Sequence, residues 1–225
     1  LTLAGAAGVG ASGGGGGTAI AGAGAFSENT IVGSVDAHIV DTEVDANGDV
    51  RVSSKNESSI DAETYGFSIA VGASTGSKTG GSLSVGVSLA YNTIDIDVLA
   101  SATNSQVDSN NGSLSITSTD SVAIEAISVA ASVAAGYSSS GNALALSGGG
   151  AVAENRVAGK TNAYVVDSRV FASGAIDIIA TRDETSIDAT IVAASLSAAI
   201  APSKSAGSAS IGVAIASNQI GEADG

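Results

Sequence analysis

The chain has 225 residues and a formal net charge of −14, with 8 Lys and Arg against 22 Asp and Glu, 30 glycines and 7 aromatic residues (4 Tyr, 3 Phe). So few, scattered basic residues cannot line a nucleic-acid backbone, which needs clustered Lys and Arg. No cysteine is present, which excludes disulfides and thiolate metal sites.

Charge comes in blocks along the chain. Residues 1–27 carry none, and 28–63 carry nine acids from Glu28 to Glu63. Residues 64–94 carry only Lys78, and 126–153 again carry none. The neutral runs are rich in Gly and Ser and alternate with period two, so they read as strands rather than membrane-spanning helices. In the first run, Gly13–Gly17 breaks an extended segment. Short strands are expected at Ala37–Val40 and Val50–Val52, with a turn at Asn47-Gly48 between them. Phe67, Ile69, Val71 and Ala73 share one face of the next extended run, which ends in the turn Ser74–Gly80. Leu83, Val85, Val87, Leu89 and Tyr91 then lie opposite Ser82, Ser84, Gly86, Ser88 and Ala90, a strand signal. Later come strands Leu114–Ile116 and Ile176–Ile179, a turn at Asn111-Gly112, and breakers at Ser138–Asn142 and Pro202–Gly207.

This succession repeats. Asn29, Asn92, Asn155 and Asn218 recur at a spacing of 63 residues. Phe26, Leu89, Val152 and Ile215 precede them by three positions, and Ile31, Ile94, Val157 and Ile220 follow by two. Asp41, Asn104 and Asp167 form a further column, although Ile60, Ile124 and Ile187 reveal a one-residue slip. Leu1 is expected in phase with Thr64, Ile127 and Thr190. A period of this length marks a repeat architecture whose units are completed by stacking. The expected fold is all-β: a parallel β-solenoid of about 3.5 tandem 63-residue repeats. Its units are 1–63, 64–126, 127–189 and a partial 190–225, in one segment of a longer whole. A string of separate sandwiches is the alternative, but 63 residues with so few large side chains make a marginal unit alone.

Candidate chemistry is sparse. Asp45, Asn47 and Asp49 place oxygens at alternate positions before and after a tight turn, a pattern open to calcium. The corresponding segments beginning at Asp108 and Phe171 lose most of those ligands, which favours a polar turn. No other cofactor is expected. Asp95 and Asp97 share a strand face but have no counterpart in other units, and His38 has no nucleophile partner. No catalytic residues are assigned and no enzyme is expected. The four asparagines are expected to hydrogen-bond along the stack as a structural ladder or to satisfy backbone groups at a corner, with an exposed turn as the alternative. The neutral small-residue face, with Ser84, Gly86, Ser88, Ser147, Gly149, Ser210 and Gly212, lacks the charges that usually guard exposed strands. It is expected to pack against another sheet, either of the same chain or of a neighbouring molecule in a bundle.

Three features, Gly-Ala-Ser-Val runs ending in Asn, the tract Asp167-Ser168-Arg169-Val170 and the segment Gly174-Ala175-Ile176-Asp177-Ile178, resemble repeats of very large bacterial exoproteins, the filamentous-haemagglutinin-like and leukotoxin-like surface proteins. The resemblance implies a right-handed parallel β-helix, secreted or attached to the cell surface, serving as an adhesin stalk or extracellular fibre. Its partners would be further repeats and copies of itself. A binding module that contacts glycan or host protein through the acidic half or the Gly/Ser loops is the alternative function.

Overall fold

The computed structural model describes residues 1–221, and those residues are all-β, with no helix. Twelve strands run in chain order: β1 Thr2–Ser12, β2 Gly17–Val40, β3 Glu43–Ala46, β4 Val50–Ser74, β5 Gly80–Thr103, β6 Gln106–Ser109, β7 Leu114–Ser138, β8 Ala143–Ala158, β9 Thr161–Val166, β10 Arg169–Ala172, β11 Ile176–Ile200 and β12 Ala206–Ile220. They form three parallel sheets. A front sheet has the order β1-β4-β7-β11, a back sheet β2-β5-β8-β12 with β9 also on β5, and a short sheet β3-β6-β10. Each of the first three levels contributes to all three sheets, the third giving both β8 and β9 to the back sheet, while the fourth supplies only β11 and β12. The next level lies beside each in the hydrogen-bonding direction.

Register follows the sequence period. In the back sheet Gly17 pairs with Gly80, Gly80 with Ala143 and Ala143 with Ala206, a constant offset of 63 residues that includes the asparagines. The front sheet absorbs the slip: Ile60 pairs with Ile124 and Ile124 with Ile187, the latter just after a bulge between Asp183 and Ser186. Thr64 pairs with Thr2 and Ser128, which corrects the expected phase by one residue, because Leu1 then aligns with Glu63. That phase has physical sense. Thr64 is buried and donates to the Ile127 carbonyl at 3.3 Å, whereas Leu1 points outward.

The interior changes character along each level. Where all three sheets surround it, near the charged blocks, the interior holds large aliphatics. Ile60, Ile94, Ile96, Val98, Val122, Ile124 and Val157 form one cluster, and Val52, Val107, Leu114 and Ile116 a second. In the neutral half only the front and back sheets remain, and the cluster there is Ala19, Ala21 and Ala70. The two backbones approach closely. A Cβ placed on Gly72 would lie 1.8 Å from the Gly81 carbonyl oxygen, and one on Gly66 would lie 2.2 Å from that of Val87. Apart from Thr64 at the border, the buried residues between them are Gly, Ala and Ser. The buried hydroxyls pair across the gap, Ser68 with Ser84 at 2.7 Å and Ser132 with Ser147 at 2.9 Å.

This arrangement decides between the two partners expected for the small-residue face: the covering sheet belongs to the same chain, and the lateral contact falls. Ser84, Ser88 and Ser147 are buried between the two sheets of the same chain, and Gly86 and Gly149 line that gap. They cannot be a lateral contact with a neighbouring molecule. Ser210 and Gly212 occupy the same columns on β12, where no further described level covers them, so they are exposed. The bulky residues opposite, such as Leu83 and Val85, face outward.

Candidate functional site

The asparagine column lies on the back sheet where the thin interior meets the aliphatic one. Inward-facing residues of β5 run Ser88, Ala90, Asn92, Ile94, so the amide occupies the point where the cavity widens. Asn29 Nδ2 donates to Asn92 Oδ1 at 2.8 Å, Asn92 Nδ2 to Asn155 Oδ1 at 2.7 Å, and Asn155 Nδ2 to Asn218 Oδ1 at 2.9 Å. Asn92 and Asn155 are each 1 % exposed. A buried amide without partners costs about 1–3 kcal/mol, and here each supplies what its neighbour lacks. Every amide is oriented the same way along the stack.

A second column turns the chain. Asp41, Asn104 and Asp167 adopt φ of 53°, 48° and 50°, the left-handed region that short polar side chains tolerate best among non-glycine residues. Asn104 Nδ2 donates to Asp41 Oδ1 at 2.5 Å. The hydroxyls that follow tie successive corners together: Thr42 N donates to Ser105 Oγ at 3.1 Å, and Ser105 N to Ser168 Oγ at 3.0 Å. The sequence period marks this column, but not its backbone sign.

Asp45, Asn47 and Asp49 sit on β3 and the exposed turn after it. Their oxygens already accept hydrogen bonds from the next level. Asn110 Nδ2 donates to Asp45 at 2.5 Å, Asn111 Nδ2 to Asn47 at 2.8 Å and Ser113 N to Asp49 at 2.8 Å. The arrangement knits two turns together. On β5, Asp97 accepts from the Lys160 backbone N–H at 2.8 Å, and Asp95 is half-buried on the same face. His38 is exposed on β2, in register with Ser101 of β5, and among the described residues no hydrogen bond joins the two side chains.

Sequence reasoning missed a third column, Asn56, Asp120 and Arg182, in register on β4, β7 and β11. These residues have the inward phase of Val52 and Ile60 and lie inside. Asn56 Nδ2 donates to Asp120 Oδ1 at 2.8 Å, and Arg182 Nε donates to Asp120 Oδ2 at 3.1 Å. The Asp120 side chain is 1 % exposed and that of Arg182 26 %. Arg182 Nη2 also donates to the Gly159 carbonyl at 2.7 Å. Gly159 has φ of 97° and interrupts the strand between β8 and β9. A Cβ there would meet the Ile96 carbonyl oxygen at 2.1 Å, so only glycine fits the close approach. The signal was available in the alternation, since position 120 falls two residues before Val122 in the buried phase.

Two shallow polar depressions complete the charged half. One, of ≈ 350 Å³, is lined by Lys55, Glu57, Thr119, Ser121, Asp183 and Glu184, and within it Lys55 pairs with Glu57 at 2.5 Å. The other, of ≈ 460 Å³, lies beside Glu28 and Asp61 at the first level. Among the described residues no helix is long and apolar enough to cross a membrane.

No protein-family model matches the chain, and no curated protein matches it. Among solved structures, the tapirin C-terminal domain of Caldicellulosiruptor kristjanssonii shares 10% identity over 77% of this chain, with a TM-score of 0.06. The chain covers 55% of that domain. A similarity of this size carries no argument about fold or function.

Proposed function

We propose that this chain is a structural segment of an extracellular repetitive fibre or adhesin stalk, a parallel β-solenoid in which each 63-residue unit makes one turn. The observation that carries the reading is the back-sheet register, constant over three successive pairings and repeated by the asparagine column inside it. Such a stack has no natural end. Each level offers the next the same backbone ladder and the same amide, which suits a protein whose task is length. The small-residue interior keeps the cross-section thin, so length is gained with little side-chain mass. The extracellular placement rests on the resemblance of the repeats to bacterial exoproteins.

The reading makes a direct demand. Deleting residues 80–142 joins Thr79 to Ala143, which takes the place of its register partner Gly80 in the adjacent level. A solenoid should close over the loss, keep its β spectrum and shorten along the stacking axis by one spacing of about 4.8 Å. Small-angle scattering and circular dichroism measure both, and an unfolded product would defeat the solenoid. Antibody labelling of intact source cells tests the location, with label on surface filaments expected and an interior signal alone contradicting it.

A further inference from the structure

The outward face of the back sheet in the neutral half is apolar and has relief. Along two adjacent columns, β2 carries Gly22 and Gly24 where β5 carries Val85 and Val87. The next levels follow with Gly148 and Gly150 on β8, then Ile211 and Val213 on β12. Valine or isoleucine ridges therefore alternate with glycine furrows, the ridges standing two levels, about 9.6 Å, apart. The furrow at Gly148 is a groove of ≈ 260 Å³ lined almost wholly by apolar side chains, among them Leu83, Leu146 and Ile211. A Cβ on Gly148 or Gly150 would meet nothing within 4 Å, so glycine there is not required by the fold of the chain itself.

The face is also large. About eleven residues per strand over four levels span roughly 36 by 19 Å, on the order of 700 Å². That exceeds the few hundred Å² of apolar patch usual on a monomer and approaches the ~800 Å² that each partner buries in a stable complex.

We propose that this face is an interface between two copies of the chain, related by a two-fold axis running along the strands between β5 and β8. That operation keeps each residue's position along its strand and reverses the order of levels. Val85 and Val87 of one copy then enter the furrow at Gly148 and Gly150 of the other, while Ile211 and Val213 meet Gly22 and Gly24. Each contact occurs twice, as an isologous interface requires. The charges at the border agree with this operation. Glu28 is brought opposite Ser217 and Glu154 opposite Tyr91, so no carboxylate faces another. A lipid surface explains the relief less well, since it needs no matching furrow, and insertion would leave the edges of the stack unpaired in hydrocarbon.

The inference deepens the fibre reading by naming the face through which two stacks join, and it rests on the stacked levels of that reading. Its test reads mass rather than length, so the two can fail separately. Sedimentation equilibrium of the 225-residue chain should give twice the single-chain mass of 21.3 kDa. Gly148→Val fills the furrow without touching the interior, and should weaken dimerisation about tenfold or more, with an unchanged circular dichroism spectrum. Val85→Gly combined with Gly148→Val exchanges ridge and furrow, and should restore most of the affinity. A wild-type monomer at every concentration overturns the proposal, as does a dimer indifferent to Gly148→Val. Capture of a monomer by phosphatidylcholine vesicles also overturns it and assigns the face to lipid.

Discussion

The two halves of each level are built from the same continuous strands, yet they bury opposite kinds of side chain. In β5, Ile94, Ile96 and Val98 point inward within the charged half, with Asp95 and Asp97 outside. Some ten residues earlier Ser84, Gly86 and Ser88 point inward, with Leu83, Val85 and Val87 outside. The difference lies in how many sheets enclose the space. Three sheets leave a wide interior that must be filled, and burying aliphatics stabilises it by about 25 cal/mol per Å². Two sheets alone collapse until their backbones meet, and the space between them is left to glycine, alanine and serine. Hydrophobicity decides the interior in one half and volume decides it in the other.

The sharpest way to break this contrast is to add volume where the sheets touch. Gly72→Val must drive a side chain against the Gly81 and Gly17 carbonyls, 1.8 and 3.0 Å from its Cβ. Backbone on both sides cannot give way, so the cost should be about 4 kcal/mol or more, at the upper end for single substitutions. Urea unfolding should show the midpoint collapse, while Gly148→Val on the outer face should shift single-chain stability by less than about 0.5 kcal/mol. Equal effects would mean the gap is not close-packed.

The next comparison removes volume instead. Ile116 is fully buried in the aliphatic interior, and Ile116→Ala should cost about 3 kcal/mol. Leu83→Ala removes a side chain of similar size from the outer face, where residue 83 is 38 % exposed, and should cost less than about 1 kcal/mol of single-chain stability. Similar losses at both sites would contradict the inversion.

The same inversion marks what could be read from sequence. Period-two alternation gave the strands but not their length. The short strands expected at Ala37–Val40, Val50–Val52, Leu114–Ile116 and Ile176–Ile179 are the ends of the long β2, β4, β7 and β11. The 63-residue spacing gave the back-sheet partners and the slip that aligns Ile60 with Ile124, but set Leu1 one residue out of phase. Which face turns inward was not legible in the neutral half, because the usual ranking of apolar above small fails where two backbones nearly touch. The sequence therefore left open whether the sheet that covers Ser84 and Gly86 belongs to the same chain or to a neighbouring molecule. The Asn56–Asp120–Arg182 column was hidden for a related reason. A charged residue in an alternating strand is ordinarily taken for an outward one, and only its parity with Val122 shows otherwise. The left-handed corners at Asp41, Asn104 and Asp167 were visible as a column but not as a conformation, since aspartate and asparagine also serve ordinary turns.

An effect smaller than those at Gly72 and Ile116 is expected at the border between the halves. Asn92 both accepts and donates within its column, so Asn92→Ala removes two hydrogen bonds and leaves one donor and one acceptor unpaired, a loss of about 2 kcal/mol. Asn92→Asp keeps the shape and separates donor from acceptor. An ionised carboxylate still accepts from Asn29, but it faces the Asn155 carbonyl oxygen with nothing to donate, in a site 1 % exposed. Burial and that opposed oxygen raise the carboxyl's folded-state pKa above its unfolded value of about 3.9. Stability relative to wild type is then fullest below about pH 4, where the protonated acid can donate to Asn155, and is lost as pH rises through the raised folded value. Thermal melts of Asn92→Asp and wild type, run side by side at acid and neutral pH, read this directly. A gap between them that narrows on acidification is expected. A gap independent of pH would show that the amide column contributes packing and not directed hydrogen bonds.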